Sequence, residues 1–248
     1  MSRRHVPFLC CQYVIMLFIV ENRAKVLLFG IFCVTLHGNM DEQIFFFING
    51  HHTAFLDQFM YLVTQKLVWI PLYVSLLYVT WRNYSWRGVL TLLVMVGLGM
   101  LVTDWANSHF LRPWIGRMRP SNPDNPIAHL VHTVNGKHGS GYGFPSCHSA
   151  NIWLLTLLVV HWFRDRHLSP AIILVALVVC YSRVYLGYHY PGDILGGFVL
   201  AYVVVWVLTW LHERFLHFHA VKFARHADVA SAVCLLTLAT FAVLAFVK

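Results

Sequence analysis

The sequence predicts an all-α fold, a polytopic bundle of transmembrane helices. Of the 248 residues, 58% are hydrophobic and only 11% are charged. A water-soluble domain carries about 25% charged residues, so a chain this poor in charge is expected in a bilayer. The apolar residues also gather in runs close to the roughly 20 that cross a hydrocarbon core as a helix.

Six apolar runs predict membrane-spanning helices. They lie at 59–81, 88–110, 147–163, 170–188, 194–211 and 229–247. Arginine and lysine occur in alternate connections between these runs, and the positive-inside rule makes those connections cytoplasmic. They are 82–87, 164–166 and 214–225.

The same alternation sets an expectation for the N-terminus. If 82–87 is inside, 39–58 is outside, so a shorter apolar run at 24–38 must also cross. The run at 6–20 is then expected to lie along the membrane surface. We divide the chain into an N-terminal segment with a weak membrane helix (1–38), a membrane domain that holds the candidate chemistry (39–211), and a cytoplasmic loop with a C-terminal transmembrane helix (212–248).

Two segments of the predicted membrane domain differ from the apolar runs. Asp41–Phe55 suits an interfacial helix that ends at the turn Asn49-Gly50. Arg112–Gly143 is a long polar stretch rich in proline and glycine, and we interpret it as an external loop.

The net charge indicates a lipid partner. It is +8 with histidine counted as neutral, a value that is also typical of proteins that bind nucleic acid. However, the basic residues are divided among short loops, and the sequence offers no solvated basic helix. We therefore expect an anionic membrane lipid and no nucleic acid. The six cysteines have neither zinc-site nor disulfide-framework spacing, and we interpret them as packing residues.

Three polar clusters interrupt the apolar sequence, and the predicted topology places all three at the outer membrane face. They are RPWIGRMRP (Arg112–Pro120), FPSCHSA (Phe144–Ala150) and SRVYLGYHYPGD (Ser182–Asp193). Polar side chains in such surroundings are costly unless something pairs with them. Their shared location therefore indicates one site.

The residue types indicate a phosphate site. Arg112, Arg119 and Arg183 carry permanently charged guanidinium groups, whose geometry matches phosphate oxygens two at a time. Ser146 and Cys147 lie where a helix is predicted to begin, so the hydroxyl group and free backbone N–H groups can bind the same anion.

The remaining polar residues supply a nucleophile and an acid. His189 and Asp193 are four residues apart, so on a helical turn the carboxylate can accept a hydrogen bond from one imidazole nitrogen. The other nitrogen is then a nucleophile, and His148 from another helix can protonate the leaving oxygen. The alternative is structural, with arginines that snorkel to headgroups. We favour that alternative for Arg117 and Lys137, but not for the three clusters together.

The clusters resemble the signature of the type 2 phosphatidic acid phosphatase superfamily, also called the lipid phosphate phosphatases. That signature reads Lys-x6-Arg-Pro, Pro-Ser-Gly-His and Ser-Arg-x5-His-x3-Asp, and all its spacings are kept here, within a resemblance that extends over about residues 40–211. Arg112 replaces the usual lysine, and Cys147 replaces the usual glycine. The cysteine lacks glycine's freedom at positive φ, which bears on the local loop conformation.

The resemblance implies roles for these residues. His189 attacks phosphorus, Asp193 orients it, His148 protonates the leaving group, and water hydrolyses the phosphohistidine. The phosphoryl oxygens are held by Arg112, Arg119, Ser146, Cys147 through its backbone, His148 and Arg183. No metal or other cofactor is expected, because the arginines supply the positive charge. Asp104, within a predicted helix, is expected to pair with a site arginine.

The resemblance leaves the lipid open. Bacterial members act at the outer surface of the inner membrane on lipid A phosphates, undecaprenyl diphosphate, or phosphatidate and phosphatidylglycerol phosphate. The long loop, with His129, His132, Lys137 and His138, suits a bulky sugar headgroup and favours lipid A. A lipid phosphotransferase remains an alternative, and the intact charged positions disfavour a non-catalytic membrane protein. The oligomeric state stays open.

Overall fold

The fold is known from a computed structural model that describes residues 18–20, 27–29, 38–216 and 224–247. The α-helices in this part are α1 Gly38–Gly50, α2 Ala54–Val63, α3 Ile70–Trp105, α4 Arg112–Ile115, α5 Cys147–Phe163, α6 Leu168–Tyr185, α7 Pro191–Leu216 and α8 Ala227–Val247. Short 3-10 turns lie at Leu67–Trp69 and Ala128–Leu130, and a π-helical stretch at Ala106–Leu111 joins α3 to α4. The predicted all-α class is confirmed.

The described residues contain a short β-hairpin and, within the long loop, an isolated bridge between Met118 and Tyr142. Strand β1, Phe18–Val20, pairs antiparallel with β2, Leu27–Phe29. The other residues of the predicted surface run at 6–20, and residues 24–26 and 30–37 of the weak crossing, lie outside the described residues. The helix predicted to end at Asn49-Gly50 is present as α1, which ends at Gly50.

The longest helical segment, Leu67–Ile115, is interrupted within α3. Ser85 has a φ of 61°, which breaks the helix at that residue. Side chains before and after the break line one apolar groove, in which Val74 and Leu77 lie with Leu90 and Leu93. The chain therefore turns back in the region 82–87, where the sequence predicts a loop.

The first predicted crossing begins later than expected. We placed it at 59–81, but α2 ends at Val63 and the segment long enough to span begins at Leu67. The apolar character of 59–63 arises because α2 packs against α6 and α8. An apolar run alone does not separate two consecutive helices.

The predicted C-terminal crossings are present as helices. By length and composition α6, α7 and α8 can each span a membrane, whereas α5 is shorter, with 17 residues. Large apolar side chains such as Trp210, Leu236 and Phe246 are more than half exposed on the outside of the bundle. A surface of this kind suits lipid rather than water, so the fold is a transmembrane helix bundle.

The three basic connections lie at the same end of the bundle. The Tyr84 hydroxyl donates to the carbonyl of Trp162, which places the break in α3 beside the end of α5. Asn83 Nδ2 donates to the carbonyl of Arg225, which brings the loop before α8 to the same place. The polar clusters therefore lie at the opposite end of the bundle from the basic connections.

Helix α5 lies at the centre of the bundle, and glycines let its neighbours approach closely. Leu154, Leu158 and Trp162 are completely buried. A Cβ on Gly99 of α3 would lie 2.4 Å from a Leu154 methyl carbon, and one on Gly197 of α7 would lie 2.6 Å from the Ser146 carbonyl oxygen. Helix association in lipid depends on such close packing, which here also fixes the start of α7 against the start of α5.

Candidate active site

The ends of three helices meet where the polar clusters lie. Helix α5 begins at Cys147 with Ser146 as its N-cap, and the Ser146 hydroxyl accepts a hydrogen bond from the Ser149 amide. The Ser146 amide in turn donates to the Asp193 carbonyl at 2.9 Å. Arg183 lies in the last turn of α6. The predicted helix start at the second cluster is therefore present, and it is tied directly to the third.

His189 and Asp193 form a buried pair. His189 Nδ1 lies 3.3 Å from Asp193 Oδ2, and the two residues are 1% and 0% exposed. The Tyr190 amide donates to the same carboxylate oxygen at 3.0 Å. With Nδ1–H donated to the carboxylate, the lone pair of His189 is on Nε2.

We expected the two residues to lie on one helical turn, but they do not share a helix. His189 lies in the turn before α7, and Asp193 lies in the first turn of that helix. The reason is Pro191, which occupies the first helical position, where its missing N–H costs nothing. The four-residue spacing therefore joins a residue in a turn to a residue in the first turn of the helix that follows.

Arg117 holds the other oxygen of Asp193, a contact that the sequence interpretation missed. Its Nη1 donates to Asp193 Oδ1 at 3.2 Å, and its Nη2 donates to Asp41 Oδ2. Asp41 also accepts the Gly192 amide at 2.9 Å, and the guanidinium lies 4.0 Å from the ring centre of Tyr190. The snorkelling interpretation of Arg117 is therefore wrong. The position of Arg117 inside the first polar cluster could have indicated that it belongs to the site.

The other arginines of the predicted site have no carboxylate partner among the described residues. They are Arg112, Arg119 and Arg183. Arg183 is 6% exposed, donates to Thr64 Oγ1 at 2.6 Å and stacks on Tyr188 at 4.2 Å. The buried Nε atoms of Arg112 and Arg183 have no hydrogen-bond partner there. Charge buried without a counterion is costly, so this arrangement suits a bound anion.

Positive charge also acts on the histidine. Burial, followed by the charges of Arg183 and Arg119, lowers the pKa of His189 well below its ordinary value of 6.5. The imidazole is therefore neutral at pH 7, which is the form that carries a lone pair. Burial and the neighbouring Arg112 lower the pKa of Arg119 in the same way. Burial is the main cause of both shifts, and the neighbouring positive charges add to it.

Gly143 brings the end of the long loop against the buried pair. Its amide donates to the Arg117 carbonyl at 2.7 Å. A Cβ at this position would lie 2.9 Å from Asp193 Oδ2 and 3.2 Å from Arg119 Cγ. The loop can therefore reach the pair only with a glycine here, a constraint that the sequence interpretation did not identify.

Cys147 takes the place of a glycine without backbone strain. It is the first residue of α5 and has no positive φ. Its Sγ lies 3.1 Å from Arg112 Nη2 and 3.2 Å from Asn107 Nδ2, both of which donate to it. Asp104, expected to pair with a site arginine, instead accepts from Asn151 Nδ2 at 3.3 Å. That expectation is wrong, because Asp104 and Asn151 lie on the facing helices α3 and α5.

A pocket of about 470 Å³ adjoins the site, and His148 and Arg183 lie in its wall. The rest of the lining is Tyr61, Thr64, Gln65, Lys66, Leu67, Lys137 and Tyr188. None of these residues is acidic. Lys137, from the long loop, donates to the Tyr61 hydroxyl at 2.9 Å. The pocket is therefore positively charged and connects the loop to the two predicted site residues.

The predicted site residues thus gather at one end of the bundle. His189 and Asp193 are in contact, Ser146 is bonded to Asp193, and Cys147 contacts Arg112. Arg119 packs against Gly139 and Gly143, while His148 and Arg183 share the pocket. The arrangement can neutralise a tetrahedral anion in front of a neutral imidazole.

Comparison with known proteins agrees with this geometry. The family model of the PAP2 superfamily matches residues 88–217. The chain is 43% identical over 176 residues to a lipid A 4'-phosphatase of Bacteroides thetaiotaomicron, an alignment that covers 71% of this chain and 78% of that protein. It is 32% identical over 165 residues to a lipid A 4'-phosphatase of Porphyromonas gingivalis, covering 66% and 70%.

A solved structure shares the fold. It is a transmembrane PAP2 type phosphatidylglycerolphosphate phosphatase from Bacillus subtilis, with a TM-score of 0.51 and 24% sequence identity. The superposition covers 73% of this chain and 88% of that one. At this identity the likeness concerns the arrangement of helices only.

Proposed function

The chain belongs to the PAP2 superfamily, and from this premise we propose that it is a metal-independent phosphatase that removes a phosphate group from lipid A. One observation carries the proposal. A buried His189–Asp193 pair adjoins Arg112, Arg119 and Arg183, whose charges have no carboxylate partner among the described residues. The relatives named lipid A 4'-phosphatase indicate the lipid.

In the first step the arginines bind the phosphoryl oxygens, and Nε2 of His189 attacks phosphorus. The N–P bond forms as the P–O bond to the lipid breaks. His148, which takes up a proton once the bound phosphate offsets the charges of Arg183 and Arg119, gives that proton to the departing oxygen. Asp193 holds Nδ1–H of His189 and stabilises the positive charge that develops on the ring. The arginines are already in place to neutralise the equatorial oxygens of the transition state.

In the second step water hydrolyses the phosphohistidine. His148, now neutral, takes a proton from the water as its oxygen attacks phosphorus. The N–P bond breaks, the electron pair returns to Nε2 of His189, and inorganic phosphate leaves. No metal is needed in either step, because the guanidinium groups supply the charge that a cation supplies in other phosphoryl-transfer sites.

The positively charged pocket supports a large headgroup as substrate. Lys66 and Lys137 extend the cationic wall beyond His148 and Arg183. Tyr61 and Tyr188 add aromatic surface to the lining. A sugar that carries a phosphate would place the phosphate at the arginines and the ring against these side chains.

We place the protein in the bacterial inner membrane with the site at the periplasmic face. This rests on the three basic connections, which meet at the end of the bundle away from the site, and on the positive-inside rule. An alkaline phosphatase reporter inserted after Gly136 is expected to be active. An inactive reporter would place the loop in the cytoplasm and contradict the orientation.

Product analysis tests the substrate. Purified protein in detergent and EDTA is incubated separately with lipid A, undecaprenyl diphosphate and phosphatidate, and the products are identified by mass spectrometry. We expect fastest release of inorganic phosphate from lipid A, with loss of one phosphate group. Faster release from either of the other lipids would overturn the substrate. Phosphate found on a second lipid, instead of in solution, would indicate a phosphotransferase.

A further inference from the structure

A second cluster of ligating side chains lies near the candidate active site and takes no part in the proposed chemistry. It consists of His52 in the turn after α1, Asp57 in the first turn of α2, and His132 in the long loop. One ligand atom from each residue lies within 4.8 Å of the other two. Three separate segments of the chain therefore converge on one point.

The contacts within this cluster are close and directional. His132 Nε2 lies 3.0 Å and 3.1 Å from the two carboxylate oxygens of Asp57. The rings of His52 and His132 stack with centres 3.7 Å apart and planes inclined by 2°. The side chains of His132 and Asp57 are 24% and 23% exposed, so an ion from solution can reach them.

Neighbouring residues hold two of the three side chains in place. The Tyr185 hydroxyl donates to Asp57 Oδ1 at 2.6 Å, and the Tyr185 side chain is buried at the end of α6. Asn49 accepts the His132 amide at 2.8 Å and donates to its carbonyl at 2.9 Å. Outer partners of this kind orient the ligands in metal sites.

We propose that His52, Asp57 and His132 bind one divalent transition-metal ion, with zinc as the best fit. Two imidazole nitrogens and one carboxylate oxygen form a common zinc donor set, with the fourth position left to water. The ion takes the place of the proton shared by His132 Nε2 and Asp57. His52 is exposed and has no hydrogen-bond partner among the described residues, so it can turn the short distance needed for Zn–N bonds of about 2.0–2.1 Å.

The ion would act as a clamp between the long loop and α2. The same loop supplies Lys137 to the positively charged pocket, and α2 supplies Tyr61. His132 and Asp57 therefore connect the two segments on which that side of the pocket is built. None of the three ligands has a role in the proposed phosphoryl-transfer steps, so the ion would act on the shape of the pocket and not on the chemistry.

Metal titration tests the site. Tag-free protein in detergent is stripped with EDTA, transferred to metal-free buffer and titrated with zinc in a calorimeter. We expect one zinc per wild-type chain and loss of this binding in His52→Ala and in Asp57→Asn. His51→Ala is the matched control, because His51 is exposed and, among the described residues, its ring hydrogen-bonds to the Phe47 carbonyl of α1 alone. Tyr185→Phe is expected to weaken binding by about 10- to 100-fold.

A second readout identifies the ligands. Cobalt in place of zinc is expected to give the visible absorption of a four-coordinate nitrogen and oxygen site in wild type and His51→Ala only. Circular dichroism of His52→Ala in metal-free buffer checks that the variant is folded. Absence of zinc binding by wild type, or equal binding by His52→Ala, would overturn the proposal. Equal binding by that variant would assign the metal to other histidines.

Discussion

Arg117 Nη1 lies 3.2 Å from Asp193 Oδ1, while His189 Nδ1 lies 3.3 Å from the other oxygen of the same carboxylate. Asp193 is therefore held between a permanent positive charge and the proposed nucleophile. The guanidinium is itself fixed by Asp41 and by the ring of Tyr190. Arg117 thus acts through Asp193 as a positioning residue.

Removing this contact is predicted to lower turnover without loss of the fold. A hydrogen bond to a charged group contributes about 1.5–3 kcal/mol, so Arg117→Gln is expected to lower kcat about 10- to 100-fold, with little change in KM. The kcat of Arg117→Lys should lie between those of Arg117→Gln and wild type, because lysine keeps the charge but loses one of the two hydrogen bonds.

Arg82→Gln is the control, because Arg82 is exposed at the opposite end of the bundle. It is expected to have wild-type kcat. A rise in KM alone for Arg117→Gln would show that Arg117 binds substrate instead of positioning Asp193.

Gly143→Ala is predicted to damage the buried pair sterically. Its new methyl group would lie 2.9 Å from Asp193 Oδ2 and 3.6 Å from His189 Nδ1, so either the carboxylate or the loop must move. We expect a lower kcat with unchanged thermal unfolding. Gly50→Ala is the matched control, because a Cβ at Gly50 meets nothing within 4 Å. Equal activities of the two variants would contradict the proposed close fit of the loop.

The lowered pKa of His189 contributes one limb of the pH dependence. A lowered pKa means that the reactive neutral form persists as the pH falls, so the acidic limb of kcat/KM due to this group should lie below 6.5. Burial is the main cause, and the charges of Arg183, Arg119 and Arg112 add to it.

Arg119→Gln removes one of these charges and should shift that limb to higher pH. The ionisation of the substrate phosphate is common to both proteins and cancels in the comparison. A limb that stays in place, or moves to lower pH, would show that Arg119 does not act on the titrating group.

Cys147→Gly separates the thiol from the backbone. The proposed phosphate donor at this position is the backbone N–H, which the substitution keeps, while the Sγ contacts with Arg112 and Asn107 are those of a weak acceptor. We expect kcat of the same order as wild type. A loss as large as that of His189→Ala would make the thiol a participant in the reaction.

Much of the bundle could be predicted from the sequence, because membrane crossings depend on length and apolar character. The gathering of the three clusters also followed, since alternation of basic loops places their connections at one face. The break at Ser85 was expected as a loop for the same reason. The start of the first crossing at Leu67 could not be predicted, because residues 59–63 and the crossing that follows them are both apolar.

The partners of the site were harder to predict than its members. Arg117 is 76 residues from both Asp41 and Asp193, and pairs so distant in sequence leave no local pattern. Gly143 looked like one of several loop glycines until the positions of Asp193 and Arg119 were known. His189 and Asp193 were paired correctly, although Pro191 makes the intervening segment a turn.

Phosphate release by wild type and His189→Ala, measured side by side in EDTA on lipid A, tests the central claim most directly. The protein is purified in detergent, and circular dichroism checks that the variant is folded. We predict release by wild type and loss of turnover in the variant, because no other group takes the place of the nucleophile. Equal release by His189→Ala would contradict the phosphohistidine mechanism.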